Sequence, residues 1–232
     1  MSRIFFDPYI GEKYNNPKEN IFGGKKILVV GHNHNCTIER LPKDKTTICR
    51  VNCLAECEGC KSKTNDIIEW IKDYLVWCKL SNEEKANAYP VERPNSSNTY
   101  IHFGKFLTDN ERHYSMMEAY NSIAFYNYCQ FAVSEWDKIP SKEQYEASVA
   151  AFNEVVAKYS PDLILCWSVN NVFCKLKLEN VEIQYTNFGK KVGFGDFYFD
   201  THRIPVIGIQ HPMAFCAEKW HKFIFPQYIK LQ

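Results

Sequence analysis

The sequence predicts an α/β fold, a three-layer α/β/α sandwich around a central parallel sheet of about four strands, with a Cys-rich metal-binding insertion. Ile27-Leu28-Val29-Val30, Leu163–Trp167 and Val206–Ile209 are continuous apolar runs of strand length, the pattern of strands buried on both faces. Segments with helical spacing separate these runs, and alternating strands and helices imply parallel strands joined by right-handed crossovers. The runs also give way abruptly to polar residues. Gly31-His32-Asn33-His34 follows the first and Gln210-His211-Pro212 the last, where ligands sit in open α/β sheets.

The 232 residues, 45% of them hydrophobic, suit one domain spanning 1–232 with a real core. No apolar run approaches the ~20 residues of a membrane span. The N-terminus lacks the apolar region of an export signal, so a cytoplasmic protein with no membrane partner is expected. A formal net charge of +1 denies the chain an overall basic footprint for nucleic acid, although a local patch remains compatible with it. Aromatic residues make up 15%, most of them expected in the core.

Residues 1–25 read as an irregular arm, because Asp7-Pro8, Gly11, Asn15-Asn16-Pro17 and Gly23-Gly24 are turn signals. After the first strand, residues 36–62 are too polar and too short to form a core unaided. Asp66 to Leu80 carries Ile67, Ile68, Ile71, Tyr74, Leu75 and Cys78 at helical spacing. Ser81 to Asn98 reads as a surface loop. A short helix is expected around Asp109 to Tyr120, then a second strand, Ser122 to Gln130, containing Asn127. Ser141 and Gln144 form a capping pattern that starts a helix running to Tyr159, which Pro161-Asp162 ends. Glu182 to Asp200 alternates like a β-hairpin, with Gly189, Gly193 and Gly195 near its turn.

Cys36, Cys49, Cys53, Cys57 and Cys60 put five thiols into one short, charged stretch. In a reducing compartment clustered thiols more often hold metal than form disulfides. Cys57-x2-Cys60 has zinc-knuckle spacing, and two further thiolates would close a tetrahedral site. Which two is open: Cys49, Cys53 and Cys57 recur every four residues, while Cys36 directly follows the polar strand end. Structural zinc is the first reading. An iron–sulfur cluster is the second, since Cys53-x3-Cys57-x2-Cys60 also has the spacing of radical S-adenosylmethionine enzymes. Cys78, Cys129, Cys166, Cys174 and Cys216 are expected to be unliganded core thiols.

Gly31-His32-Asn33-His34, Asn127 within AFYNYCQ, and His211-Pro212-Met213 resemble, in order and spacing, the motifs of the uracil-DNA glycosylase superfamily. The stretch PSKEQYEASVAAFNEVVAKYSPDLILCW resembles the same superfamily in its Pro, long helix, Pro-Asp and buried strand. The resemblance covers residues 25 to 215. It implies catalytic roles for Asn33, His211 and His34, and base-binding roles for Asn127 and His32. It also implies an aromatic that stacks on a flipped base, for which Phe103 and Phe106 are the candidates. The first motif departs from the best-known members: His34 replaces Pro and no acidic residue is present. Positioning of the attacking water then falls to Asn33, as in the mismatch-specific branch.

These residue types suit that chemistry. Flipping a nucleotide costs a few kcal/mol, recovered through stacking and hydrogen bonds to the base edge. An Asn amide offers both donor and acceptor for that edge. Cleavage leaves negative charge on the departing base, which a fixed donor such as His211 stabilises. The expected function is a DNA glycosylase that hydrolyses the N-glycosidic bond of a uracil-like, mismatched or modified base, with DNA as partner. The alternatives are a non-catalytic nucleotide or nucleic-acid sensor on the same fold, and an iron–sulfur enzyme. Taken singly, Asn127 reads better as satisfying a strand-end backbone group and His211 as a cap ahead of Pro212; taken jointly they read as a site.

Overall fold

The computed structural model describes residues 3–4, 6–35, 80–81, 97–130, 132–133, 140–229 and 231. The Cys-rich stretch 36–62, the expected helix over 66–80 except its last residue, and most of the expected loop over 81–98 lie outside the described residues. In order, the elements are β1 (Tyr9–Ile10), β2 (Ile27–Gly31), β3 (His34–Asn35), α1 (Ser97–Thr108), α2 (Met116–Asn121), β4 (Ile123–Asn127) and β5 (Ala132–Val133). They continue with α3 (Lys142–Tyr159), β6 (Leu163–Trp167), a 3-10 turn (Phe173–Lys175), β7 (Glu179–Tyr185), β8 (Lys191–Phe199), β9 (His202–Ile209), a second 3-10 turn (Pro212–Ala214) and α4 (Ala217–Tyr228).

The chain is α/β, and its main sheet has seven strands in the order β1-β4-β2-β6-β9-β8-β7. The expected parallel strands form its centre: β2 pairs in parallel with both β4 and β6, and β6 with β9. The sheet is nevertheless larger than expected and mixed, because β1, β8 and β7 add antiparallel strands at its two sides. Every residue of β2, β4 and β6 is buried, as continuous apolar runs require. Side chains alternate between two cores. Ile27, Val29, Ile123, Phe125, Leu163, Leu165 and Ile207 pack with residues of α1, α2 and α4. Leu28, Val30, Ala124, Tyr126, Ile164, Cys166 and Val206 pack with Tyr145, Phe152, Val155 and Val156 of α3. The short β3 and β5 form a separate parallel pair.

The capping box that starts α3 is present: Gln144 N donates to Ser141 Oγ at 3.3 Å and Ser141 N to Gln144 Oε1 at 2.8 Å. The hairpin read over 182–200 is β7–β8, turning at Gly189 with φ of 75°.

Two expectations need correction. The N-terminal arm is part of the fold. Tyr9 and Ile10 add an antiparallel strand to β4, and Phe6, Tyr14, Ile21 and Phe22 are buried. Asn20, fully buried, donates to Ser122 O at 3.0 Å while its Oδ1 accepts from Phe22 N at 2.9 Å. A side chain on Gly11 would strike the Asn121 carbonyl, so the absence of a Cβ lets the arm lie against the start of β4. The helix expected over 109–120 is instead a break followed by α2. Asp109, Asn110 and Glu111 all have φ between 49° and 60°, and α2 starts only where Ser115 and Glu118 form a capping box. Tyr100 to Phe106, not assigned an element from sequence, lies within α1.

Candidate functional site

Because β2, β4, β6 and β9 run parallel, their carboxyl ends open along one edge of the sheet. Gly31 stands opposite Asn127 across β2–β4, and Trp167 opposite Ile209 across β6–β9. The chain leaves these strands through His32-Asn33, Tyr128, Ser168 and Gln210-His211 respectively. The three sequence-predicted polar strand ends therefore meet along a single edge.

Asn127, 7% exposed, donates from Nδ2 to Asn33 O at 3.1 Å, holding the loop after β2. Its Oδ1 lies over Gly31 so closely that a Cβ there would collide with it. The glycine thus permits the Asn side chain to cross the strand end. Tyr128 N and Cys129 N donate to Gly31 O and His32 O, both at 3.0 Å, continuing the ladder past the strands. Gln130 Nε2 donates to Asn127 O at 2.9 Å, and Gln130 Oε1 accepts from Phe6 N at 2.8 Å, so the arm reaches the same corner.

His32 is joined to Tyr145 of α3 by a hydrogen bond through Nε2, and the two rings stack with centroids 5.8 Å apart. Burial, with the neighbouring His211 and Lys175, pushes the His32 pKa down from 6.5 to about 4. It is neutral at physiological pH. Burial of the Tyr145 ring pushes its phenol up, so that hydroxyl stays protonated. Lys175 stands 5.1 Å from the centre of the Tyr145 ring.

His211 accepts at Nδ1 from Met213 N at 3.3 Å, so its cap role is real. The same bond assigns the proton of the neutral ring to Nε2, which becomes a donor. Its ring meets Trp167 edge-on at 5.8 Å, and although the residue as a whole is exposed, this packing lowers its pKa. His102 of α1 donates from Nδ1 to Pro212 O at 3.1 Å, fixing the turn that carries His211.

The structure brings together His32, Asn33, Asn127 and His211. His34 lies in β3, directly after the His32-Asn33 loop. Phe103 and Phe106 are excluded from the stacking role. Both are 0% exposed: Phe103 packs on Trp167 at 4.9 Å, and Phe106 on Phe215 and Phe225 at 5.3 Å. Both lie on α1, a helix not read from sequence, and occupy its core-facing side. Among the other thiols, Cys129 and Cys166 are buried as expected, whereas Cys174 and Cys216 are exposed. Cys36, Cys49, Cys53, Cys57 and Cys60 lie outside the described residues, and no metal-holding group occurs among the described ones.

Sequence reasoning missed Tyr145, Trp167, Ser168 and His102. Trp167 and Ser168 end the third buried strand, so the strand-end rule applied to the other three would have found them. Ser168 has φ of 91°, and its N–H donates to Ile209 O at 2.9 Å, locking β6 to β9 at the site. The buried Trp167 Nε1 has no hydrogen-bond partner among the described residues. A cavity of about 320 Å³ lies between α3 and the β8–β9 turn; it reaches Tyr128 but none of His32, Asn33, Asn127 and His211. Among the described residues no helix is long and apolar enough to cross a membrane. No family model, curated protein or solved structure matches the chain.

Proposed function

We propose that this protein is a DNA glycosylase on a three-layer α/β/α sandwich, acting in the cytoplasm on a uracil-like, mismatched or modified base. The observation that carries the reading is the convergence of His32, Asn33, Asn127 and His211 at the carboxyl ends of parallel strands. A neutral His211 with its proton on Nε2 is suited to donate to a base oxygen as negative charge develops there. Asn33, its carbonyl fixed by Asn127, is suited to hold the attacking water. Trp167 Nε1, and the second amide hydrogen of Asn127 beside the one given to Asn33 O, are further polar groups for the base edge. Lys175, close to His32 and to the Tyr145 ring, supplies local positive charge for a phosphate without requiring a basic chain. The cysteines Cys36, Cys49, Cys53, Cys57 and Cys60 form a soft donor set suited to structural zinc or to an iron–sulfur cluster.

The test is abasic-site formation. Protein incubated with single- and double-stranded oligonucleotides containing uracil, mismatches or modified cytosines, then treated with alkali, should yield strand breaks on at least one substrate. His211→Ala and Asn33→Ala should slow single-turnover cleavage about ten- to a hundredfold, roughly 1.4 to 2.7 kcal/mol, with oligonucleotide binding little changed. Binding without breaks on any substrate would instead favour the nucleic-acid sensor. Elemental analysis of the same preparation should give about one zinc per chain, and iron with sulfide would replace zinc by a cluster.

A further inference from the structure

β7 is the outermost strand of the seven-stranded sheet, and all seven of its residues are exposed. Val181, Ile183 and Tyr185 are 53%, 41% and 72% exposed, an unusual display for apolar side chains on a sheet edge. The backbone parity of this edge follows from the hairpin. Thr186 N donates to Lys190 O at 2.8 Å, so Thr186 bonds inward, toward β8. Backbone groups alternate sides along an antiparallel strand, so Gln184 and Glu182, opposite Val192 and Phe194, also bond inward. Ile183 and Tyr185 therefore turn their N–H and C=O groups outward.

We infer that β7 is a dimerisation edge, pairing antiparallel with β7 of a second copy of this chain about a two-fold axis at Ile183. In that register Ile183 faces its own symmetry mate as a hydrogen-bonded pair, each exchanging N–H and C=O with the other. Val181 faces the partner's Tyr185, so the three exposed apolar residues form one ladder on one face. Glu182 faces Gln184. The neighbouring two-fold register, centred on Glu182, sets two carboxylates against each other at the closest cross-strand spacing, and so is disfavoured. Backbone parity permits the Ile183-centred register, and the charge pattern sets it above the Glu182-centred one. At the other end of β7 the edge closes itself off: the β7–β8 register shifts between Glu179 and Glu182, where Asn180 has φ of 50° and donates to Asp196 at 2.8 Å. The pairing segment is accordingly confined to 181–185, and the two sheets would join as one continuous sheet.

Sedimentation velocity of the full chain over a micromolar concentration series tests the pairing. A species of about twice the 27.2 kDa chain mass is expected, giving way to monomer on dilution. Ile183→Lys places two ammonium groups at the axis and should leave monomer at every concentration, with an unchanged far-ultraviolet dichroism spectrum. Tyr185→Arg, away from the axis on the same exposed row, should do the same and serves if the first variant misfolds. Glu182→Gln should retain the dimer. A wild-type protein that stays monomeric throughout, or a dimer that survives the substitution at Ile183 or at Tyr185, overturns the inference. None of these outcomes depends on cleavage of DNA.

Discussion

Among the strand-end side chains, His32 is the one whose titration is most displaced, and the sign of its effect on stability follows directly. Above pH 6.5 the ring is neutral in both folded and unfolded chains and contributes no pH dependence. Between 6.5 and about 4 the unfolded chain takes up a proton that the folded one refuses, so stability falls as pH falls. Below about 4 the folded ring titrates too and the slope disappears. The urea midpoint should therefore drop across that window, and His32→Gln, which keeps a polar group near Tyr145, should make the drop shallower. Equal slopes in the two proteins would place the cause in other groups, of which His211, shifted in the same direction, is the first candidate.

At the scale of elements, the two capping boxes have the same sequence form but only one was legible. Ser141 and Gln144 precede a long periodic helix, so the cap and the periodicity agree. Ser115 and Glu118 start α2, which has six residues, too few for the periodicity to register. So short a helix depends on its cap and its packing. Glu118 N donates to Ser115 Oγ at 3.3 Å and Ser115 N to Glu118 Oε2 at 2.8 Å. Ser115→Ala should lower stability by about 1 kcal/mol, with the denaturant slope unchanged, and Ser115→Thr should recover most of the loss. An unaltered midpoint in Ser115→Ala would mean that Ala119 and Tyr120, buried in the core, hold the helix without its cap.

For the whole molecule, the decisive joint is between the N-terminal arm and the centre of the sheet, where Asn20 bridges the arm to Ser122 at the start of β4. Asn20→Ala strands the buried Ser122 carbonyl and Phe22 N–H, and should cost ~1–3 kcal/mol in a single cooperative transition. A separate early transition, read by limited proteolysis of the arm, would show instead that the arm unfolds apart from the sheet. The sequence by itself determined the four central strands, their parallel setting, the long α3 helix and the β7–β8 hairpin. Those features are written locally, because a strand buried on both faces must be apolar at every position. It also marked the ends of three of those strands as polar, and these are the residues that gather at the candidate site. Tertiary structure alone decided that Phe103 and Phe106 face the core, that Asn127 spends its amide on the Asn33 carbonyl, and that Tyr145 reaches His32 from α3. It likewise turned an arm full of turn signals into an edge strand. The physical reason is common to all four: periodicity shows that a face is buried, whereas the group it is buried against is supplied by segments distant in the chain.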